Sequence, residues 1–513
     1  MFSQHSDEAP QKINILTLNC WGLKFISKYR RQRLLEIGRR LANSDYPPEI
    51  VGLQECWTQE DYNAIRNETR HILPYGKYYY SGIFGGGLAI LSKWPIEESS
   101  MFEYPLNGRP TAFFRGDWFV GKGVAYARIR VGPGQNDIAA VFCTHLHAPY
   151  EREPHDSYLC HRTAQAWEIA KLMRGSAEKG HLVIGMGDFN MLPLSLAHQL
   201  ITAHAPVQDV WRYLRPNSSL GASIDQVEIR RQRPVPSGDY NIIENGVTCD
   251  GIFNTWRWPK AEQKRLQREG HISVDGNLSD PLGKRLDYIF VSDGSAPNHH
   301  PSTSWKWSID SARVGMMERH PTLHCSLSDH FSVETTLVRT NREGDSRDPA
   351  RQASNDVEEN ASFLPIQKNV DSPTGSFSAP SPTLATSAST PKPVLSADIY
   401  DEILHMITVY KSRERFQRRA RLGHFLASLL VFTGCLVATW WSPRAFISFI
   451  LCLVSSLSLS AGVIDGLIGG LFIGKELRAL KEFEWEVKNA RRSVLGMGLD
   501  IEEDLRTPKR RGG

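Results

Sequence analysis

Two long apolar segments near the C-terminal end of the sequence limit most strongly how this chain can fold. Residues 422–441 and 445–464 are largely apolar, and only Ser442-Pro443-Arg444 separates them. A helix rises ~1.5 Å per residue, so each segment would be about 30 Å long, which matches the hydrocarbon core of a bilayer. Neither segment has the polar face that a helix on a soluble core turns to water. The sequence predicts a transmembrane helical hairpin, with two buried core helices as the alternative.

Charged residues around the two segments predict the orientation of the hairpin. The turn carries only Arg444, whereas basic residues flank both outer ends: Arg415, Arg418, Arg419, Arg421, Lys475, Arg478 and Lys481. The positive-inside rule then places the rest of the chain in the cytosol. We expect an integral membrane protein of the endoplasmic reticulum, with mitochondrial or other membranes as alternatives. The four arginines before the first segment, Arg415, Arg418, Arg419 and Arg421, either contact anionic phospholipids or only set the topology.

Composition divides the chain into six regions. Residues 341–395 are rich in Ser, Thr, Pro and Asp, which predicts a disordered linker. The other regions are an N-terminal tail (1–12), a catalytic domain (13–340), a basic amphipathic helix (396–421), the hairpin (422–474) and a charged cytosolic tail (475–513). The polar N-terminal tail has no apolar core, so we expect no signal peptide.

Global composition excludes several classes of protein. The eight cysteines form no C-x-x-C pair, which argues against a zinc site or a disulfide framework. A net charge of +4 is too close to balance to indicate nucleic-acid binding. We therefore expect a catalytic domain with reduced, buried thiols.

Alternating strand and helix patterns predict the fold class of the domain. Short runs rich in branched apolar residues predict strands at 13–19, 50–54, 88–92, 123–131, 138–144, 182–188, 285–291 and 331–338. Helical periodicity appears at 29–42 and at 158–174, where Ser157 is the expected cap. Residues 209–280 look irregular. This order predicts an α/β sandwich with sheets inside and helices outside.

Polar residues lie at or beside the ends of these predicted strands, where α/β proteins bind ligands. They are Asn19, Glu55, His145, Asp188, Asn190, Asp287, Asp329 and His330. Any one alone fits an ordinary turn or a satisfied polar residue. Together they supply what phosphodiester cleavage requires, which is oxygen ligands for a hard cation and a histidine base oriented by a carboxylate.

Six motifs, in this order along the chain, resemble the endonuclease/exonuclease/phosphatase superfamily, which includes pancreatic deoxyribonuclease. They are Leu18-Asn19-Cys20-Trp21-Gly22, Leu53-Gln54-Glu55, Thr144-His145-Leu146, Gly187-Asp188-Phe189-Asn190, Leu286-Asp287-Tyr288 and Ser328-Asp329-His330. The resemblance covers about 13–340. It implies a DNase-I-like, four-layered α/β sandwich, here followed by the linker and the hairpin.

The resemblance also implies a metal site. Glu55 would be the principal Mg²⁺ ligand, assisted by Asn19, with Mn²⁺ as a substitute ion. Asp188 and Asn190 would contact the phosphoryl centre and the water on the ion. The expected cofactor is therefore one or more divalent cations.

Acid–base roles follow from the same resemblance. His330 would be the general base, oriented by Asp287, and Asp329 would lie next to the metal. His145 would donate to a phosphate oxygen. Either Asp188 or a water on the ion would protonate the leaving alkoxide.

Four further features resemble the neutral sphingomyelinases and the fungal inositol phosphosphingolipid phospholipases C. They are the Asp117-x4-Lys122 loop, the residues 144–148, the segment 246–255 and the hairpin. This branch implies a membrane-anchored, Mg²⁺-dependent phospholipase C that converts sphingolipids to ceramide, with anionic phospholipids as activators. The loop lacks the Walker A spacing, so it either gates lipid access or is a turn with a surface lysine.

Two other functions remain as alternatives. A nuclease or sugar-phosphate phosphatase would share the motifs, although the near-neutral charge and the hairpin argue against nucleic acid as a partner. A membrane scaffold would require a missing catalytic group, and none is missing. Choline phosphate, inositol phosphate and mannosylated inositol phosphate all remain open as headgroups, as does the oligomeric state.

Overall fold

The computed structural model describes residues 9–151, 156–295, 305–341 and 395–497. The predicted linker lies almost entirely outside these residues. So do most of the predicted N-terminal tail and the last residues of the predicted C-terminal tail.

Two mixed sheets form the centre of the catalytic domain. The strands are β1 Lys12–Asn19, β2 Ile50–Gln54, β3 Tyr75–Tyr79, β4 Leu88–Ser92, β5 Ile96–Glu103, β6 Gly123–Arg130, β7 Ile138–His145, β8 Leu182–Asp188, β9 Gln208–Asp209, β10 Asp287–Val291, β11 Trp305–Gly315 and β12 Ser332–Asn341. In one sheet the six strands follow the order β11-β12-β1-β2-β4-β3, and in the other the order is β5-β6-β7-β8-β10-β9.

The inner faces of the two sheets form one core. Ile15 and Ile50 from one sheet pack with Val141, Ile184 and Met186 from the other, and all five side chains are buried. Gly52 lies directly against Met186. A methyl group on Gly52 would come within 2.7 Å of the Met186 side chain, which is too close for two carbon atoms. The sheets therefore face each other as the two inner layers of a sandwich.

Helices cover both outer faces. The helices of the domain are α1 Arg30–Ala42, α2 Gln59–Thr69, α3 Asp117–Val120, α4 Leu159–Ala177, α5 Leu196–His204, α6 Val210–Leu214, α7 Gln226–Arg230, α8 Gly238–Tyr240 and α9 Lys260–Glu269. Leu34 of α1 and Ile65 of α2 pack on the first sheet. Ile169 and Met173 of α4 and Ile201 of α5 pack on the second. The predicted four-layered α/β sandwich is confirmed.

The strands that the sequence patterns missed lie at the edges of the sheets. Strands β3 and β11 border one sheet, and β5 and β9 border the other. An edge strand is partly solvated, so it lacks the continuous apolar run that marks a central strand. Local interpretation also failed at α4, where Tyr158 is the N-cap and no side chain caps the helix. The Ser157 hydroxyl donates to Glu151 instead.

The C-terminal region forms helices α10 Ala397–Thr439, α11 Ala445–Leu467 and α12 Ile473–Val494, with a π-helical turn at Ile468–Phe472. The predicted basic helix and the first apolar segment are therefore one continuous helix. Within the described residues, two helical stretches are long and apolar enough to cross a membrane, beginning at Ala397 and at Ala445. The start of the predicted charged tail is part of α12.

Helices α10 and α12 pack against the catalytic domain. Ile403 and Ile407 of α10 and Phe483 of α12 share a buried cluster with Trp167 of α4 and Leu200 of α5. Polar contacts reinforce the interface, because the Lys171 amine lies 2.7 Å from the Glu486 carboxylate. The His161 imidazole likewise lies 3.1 Å from the Glu476 carboxylate. The orientation of the helices on the domain is thus set by direct contacts.

Candidate active site

Strand register brings the predicted polar residues to one end of the sandwich. In the first sheet, Asn19 is paired with Gln54 of the parallel strand β2, so the next residue, Glu55, follows beside it. In the second sheet, Asp188 is paired with His145 on one side and with Asp287 on the other. These residues come from distant parts of the chain and line a single cleft.

Asp188 lies at the centre of this cleft. The Asn19 side-chain amide donates to Asp188 Oδ2 over 3.0 Å and to Glu55 Oε1 over 3.1 Å. The Asn190 amide donates to the same Asp188 oxygen over 3.3 Å. His145 Nε2 lies 3.5 Å from that oxygen. One carboxylate oxygen thus connects the acidic residues, the amides and the histidine.

His330 and Asp287 form a buried dyad on the other side of Asp188. His330 Nδ1 lies 2.8 Å from Asp287 Oδ2. His330 Nε2 faces the cleft, 3.9 Å from Asp188 Oδ2. The Asp287 carboxylate stabilises the tautomer with hydrogen on Nδ1, and this leaves Nε2 as the atom that can accept a proton. The pair has the geometry expected of a general base and its orienting group.

The residues of the cleft fit a divalent cation. Ligand atoms of Asp188, Asp287 and His330 lie within 4.8 Å of one another, and all three residues are buried. Asp287 Oδ1 is buried without a hydrogen-bond partner among the described residues. Carboxylate and amide oxygens are the ligands that hard cations take. The tightest cluster is therefore centred on Asp188, and Glu55 reaches it through Asn19.

Shifted pKa values support the same conclusion about charge. Burial raises the pKa of Asp188 to about 6. Burial, with the Asp329 carboxylate as a further cause, also raises the pKa of Glu55. Asp329 is only partly buried, and it accepts a hydrogen bond from the Ser328 hydroxyl over 3.4 Å. Acidic groups crowded in this way resist ionisation unless positive charge compensates them.

The two histidines of the cleft differ in charge state. Burial lowers the pKa of His145 well below its usual value, and the nearby Lys122 ammonium lowers it further. Burial also disfavours protonation of His330, but the Asp287 and Asp188 carboxylates outweigh it and raise the pKa of His330. His145 is thus suited to donate as a neutral imidazole, while the two carboxylates stabilise the imidazolium that His330 forms when it accepts a proton.

The Asp117-x4-Lys122 loop supports the main chain beside His145. Lys122 is buried, and its ammonium group donates to the carbonyl oxygens of His145 and Leu146 over 3.4 and 3.2 Å. Asp117 accepts a hydrogen bond from the Tyr150 hydroxyl over 2.7 Å. The alternative of a surface lysine is therefore wrong. Lys122 instead contacts the backbone that carries His145.

Sequence reasoning missed a residue that holds the dyad in place. The Thr248 carbonyl accepts from the Phe331 amide over 2.9 Å, next to His330. The Thr248 hydroxyl accepts from the Leu286 amide over 3.3 Å, next to Asp287. The sequence pointed to Thr248 only as part of the segment 246–255, which resembles the neutral sphingomyelinases, and it assigned no role to this residue.

The predicted lipid-contacting arginines lie on α10, which follows all of the cleft residues in the sequence. Arg415, Arg418 and Arg419 are exposed. Arg421 instead forms an ion pair with Asp465 across the helical hairpin. Three of the four guanidinium groups are thus available to solvent or lipid.

Comparison with known proteins agrees with this geometry. The profile described as "Endonuclease/Exonuclease/phosphatase family" matches residues 16–330. The chain is 38% identical to the inositol phosphosphingolipids phospholipase C of Schizosaccharomyces pombe, over 94% of this chain and 95% of the relative. For the Saccharomyces cerevisiae protein of the same name, the values are 32%, 93% and 90%.

An animal relative matches a shorter part. Sphingomyelin phosphodiesterase 2 of Homo sapiens is 34% identical over 47% of this chain and 55% of the relative. The chain therefore belongs to the endonuclease/exonuclease/phosphatase family, as a phosphodiester hydrolase of its neutral sphingomyelinase and inositol phosphosphingolipid phospholipase C branch.

Proposed function

We propose that this protein is a membrane-anchored, Mg²⁺-dependent phospholipase C that hydrolyses sphingolipids to ceramide and a phosphorylated headgroup. The observation that carries the proposal is the cleft in which Asn19 joins Glu55 to Asp188, opposite the His330–Asp287 dyad. The names of the two fungal relatives, which align over at least nine tenths of their lengths, support sphingolipids as substrates. They also favour inositol phosphate as the headgroup.

The side chains of the cleft divide the reaction among them. His330 Nε2 takes a proton from the attacking water while Asp287 holds Nδ1. His145 and Asn190 donate hydrogen bonds to the phosphoryl oxygens as negative charge develops on them. Asp188, whose pKa is raised to about 6 by burial, gives a proton to the departing ceramide oxygen.

Glu55 would hold the cation, with Asp329 beside it and with the Asn19 amide assisting by orienting the Glu55 carboxylate. When bound, Mg²⁺ supplies positive charge that neutralises the phosphoryl oxygens and stabilises the leaving alkoxide. The raised pKa values of Glu55 and Asp329 support this assignment, because a cation would favour their ionised forms.

The apolar helices would anchor the enzyme in the bilayer that contains its substrate. We propose a cytosolic catalytic domain on the endoplasmic reticulum, with anionic phospholipids as activators that contact Arg415, Arg418 and Arg419. Contacts such as Lys171–Glu486 keep α12 on the domain, so the height of the cleft above the membrane would not depend on the linker.

Lipid and nucleic-acid substrates separate the proposal from a nuclease. The full chain is reconstituted in vesicles that contain inositol phosphoceramide or sphingomyelin, with Mg²⁺ or with a chelator, and is also incubated with plasmid DNA. We expect Mg²⁺-dependent ceramide release, faster from inositol phosphoceramide, and intact DNA. His330→Gln is the inactive control. Cleavage of DNA without ceramide release would overturn the proposal.

A further inference from the structure

Four large apolar side chains lie exposed on two loops of the catalytic domain. The exposed fraction is 94% for Phe25, 67% for Ile26, 70% for Ile83 and 63% for Phe84. We call these four residues the apolar rim. Grouped apolar exposure of this kind marks a surface that contacts another apolar phase.

The apolar rim borders the cleft, because its two loops hold the backbone of Glu55 between them. The Gly22 amide donates to the Glu55 carbonyl over 3.0 Å, and the Cys56 amide donates to the Gly87 carbonyl over 2.9 Å. Gly87 has a φ of +66° and lies so close that a methyl group there would be 3.3 Å from Glu55 Cα. Both loops thus begin or end at the mouth of the cleft.

A chain of aromatic contacts joins the apolar rim to the C-terminal helices. Phe84 lies beside Phe119, with ring centroids 5.7 Å apart, and Phe119 lies beside Trp118 at 5.2 Å. Trp118 packs on Phe472 at 4.3 Å. Phe472 ends the π-helical turn that follows the apolar helix α11. The rim is therefore continuous with the point where the hairpin meets the domain.

Backbone contacts stiffen this connection. The amides of Ile83 and Phe84 both donate to the Phe119 carbonyl, over 2.8 and 3.2 Å. Helix α3, which contains Trp118 and Phe119, is therefore bonded to the rim on one side and packed on the hairpin on the other. The rim cannot move far from the base of the hairpin without breaking these contacts.

We infer that the apolar rim enters the same lipid leaflet as the base of the hairpin and seats the cleft on the membrane. The apolar rim would contact the hydrocarbon region of a bilayer, while the headgroup of the sphingolipid substrate stays in the polar cleft beside Glu55. This inference rests on the proposed membrane attachment. It makes the rim a second membrane contact, which decides how the cleft meets a substrate whose ceramide part stays in lipid.

Site-specific labelling tests the inference directly. Among the eight cysteines, all within the described residues, only Cys435 and Cys452 are not buried. Replacing Cys435 with Ser leaves Cys452 of α11 to carry a fluorescent label. In a Cys435→Ser, Cys452→Ser background, Phe84→Cys places the label on the rim. Tyr46→Cys places it on a side chain of similar exposure, 60%, shortly before the start of strand β2, whereas Glu55 follows the end of that strand.

Each labelled full-length protein is reconstituted in vesicles that contain lipids with a nitroxide quencher in the acyl chain. We expect quenching at Cys452 and at Phe84→Cys, and none at Tyr46→Cys. Quenching at Cys452 without quenching at Phe84→Cys would overturn the inference and leave membrane attachment intact. Absence of quenching at Cys452 would overturn the attachment and the inference together.

Serine variants test the consequence for turnover. Ile83→Ser combined with Phe84→Ser should reduce ceramide release from vesicles by at least about tenfold, since two apolar groups no longer enter lipid. Hydrolysis of a soluble phosphodiester, bis-p-nitrophenyl phosphate, should be unchanged, which also reports correct folding. Tyr46→Ser is the matched control. Equal losses on both substrates, or no loss on vesicles, would contradict the inference.

Discussion

At the residue scale, the amide of Asn19 connects the Glu55 carboxylate of the proposed metal site with the Asp188 carboxylate at the centre of the cleft. Its Nδ2 atom donates to Glu55 and to Asp188, at 3.1 and 3.0 Å. Its Oδ1 atom accepts from the Trp21 amide over 2.9 Å, which fixes the orientation of the side chain. Asn19, at the end of strand β1, therefore holds both carboxylates in position relative to this strand.

Removing the charge of Glu55 should weaken Mg²⁺ binding and remove most of the activity. We expect Glu55→Gln to lower the rate by about 10³-fold, or ~4 kcal/mol, because one anionic ligand is lost. The measurement is ceramide release against Mg²⁺ concentration, together with calorimetric Mg²⁺ binding. Glu60→Gln, at an exposed position, is the control. An unchanged Mg²⁺ midpoint in Glu55→Gln would contradict the assignment.

Asp287 should act on the rate without affecting substrate binding. In Asp287→Asn the amide can donate to His330 Nδ1, which favours the wrong tautomer and protonates Nε2. We expect kcat to fall by about 10³-fold with KM nearly constant, as for other oriented histidines. Asp310→Asn, on an exposed strand residue, serves as control. A fall in kcat/KM caused by KM alone would show that Asp287 has another role.

At the scale of elements, the interface between α5 and α10 contains a histidine that is kept neutral. His204 Nε2 lies 3.2 Å from the Tyr400 hydroxyl, and its ring packs beside Trp167 at 4.4 Å. Burial lowers the pKa of His204 to about 4, and the Arg174 guanidinium lowers it further. The docked state therefore favours the uncharged imidazole.

This shift predicts how stability depends on pH. The unfolded state binds more protons than the folded state between about pH 6.5 and 4, so His204 contributes stability above this range that is lost as pH falls through it. We expect His204→Gln to remove about 1–2 kcal/mol of this acid destabilisation. Thermal unfolding at pH 7.5 and pH 4.5 measures it, with His271→Gln as control. Identical pH slopes in wild type and His204→Gln would rule out this role.

At the scale of the whole molecule, the apolar helices and the catalytic domain form one packed assembly. Glu476 of α12 accepts from the Tyr410 hydroxyl of α10 over 2.6 Å and lies 3.1 Å from His161 of α4. A tether alone would leave the cleft free to face any direction. Direct docking instead fixes which side of the domain lies next to the base of the helical hairpin.

Lipid charge should therefore act through the exposed arginines of α10. Changing Arg415, Arg418 and Arg419 to Gln should reduce turnover several-fold on vesicles rich in phosphatidylserine, at about 1 kcal/mol or less per charge. On neutral vesicles we expect no change. A matched triple variant, Arg39→Gln, Arg70→Gln and Lys179→Gln, removes charges near the C-terminal ends of α1, α2 and α4. Equal effects of the two triple variants would exclude a specific lipid contact.

Local patterns determined much of this molecule. The period of apolar residues predicted the central strands, the helix α1 and the apolar helices, because these elements bury a face or a whole surface that repeats along the chain. The polar residues beside the strand ends could also be identified, since strand ends bind ligands in α/β sheets. Resemblance then supplied roles for them, and the structure brings Asn19, Glu55 and Asp188 together in one cleft.

Only the tertiary structure decided the rest, because it depends on contacts between residues far apart in sequence. Lys122 is buried, with its ammonium group bonded to the backbone at the end of strand β7. The role of Thr248 comes from two strands that meet beside it. The sequence of helix α12 predicted only a charged tail, whereas in the structure its Phe483 packs beside Trp167 of the domain. The local sequence determines the spacing of apolar residues along an element, but which element packs on that apolar face depends on contacts in the folded chain.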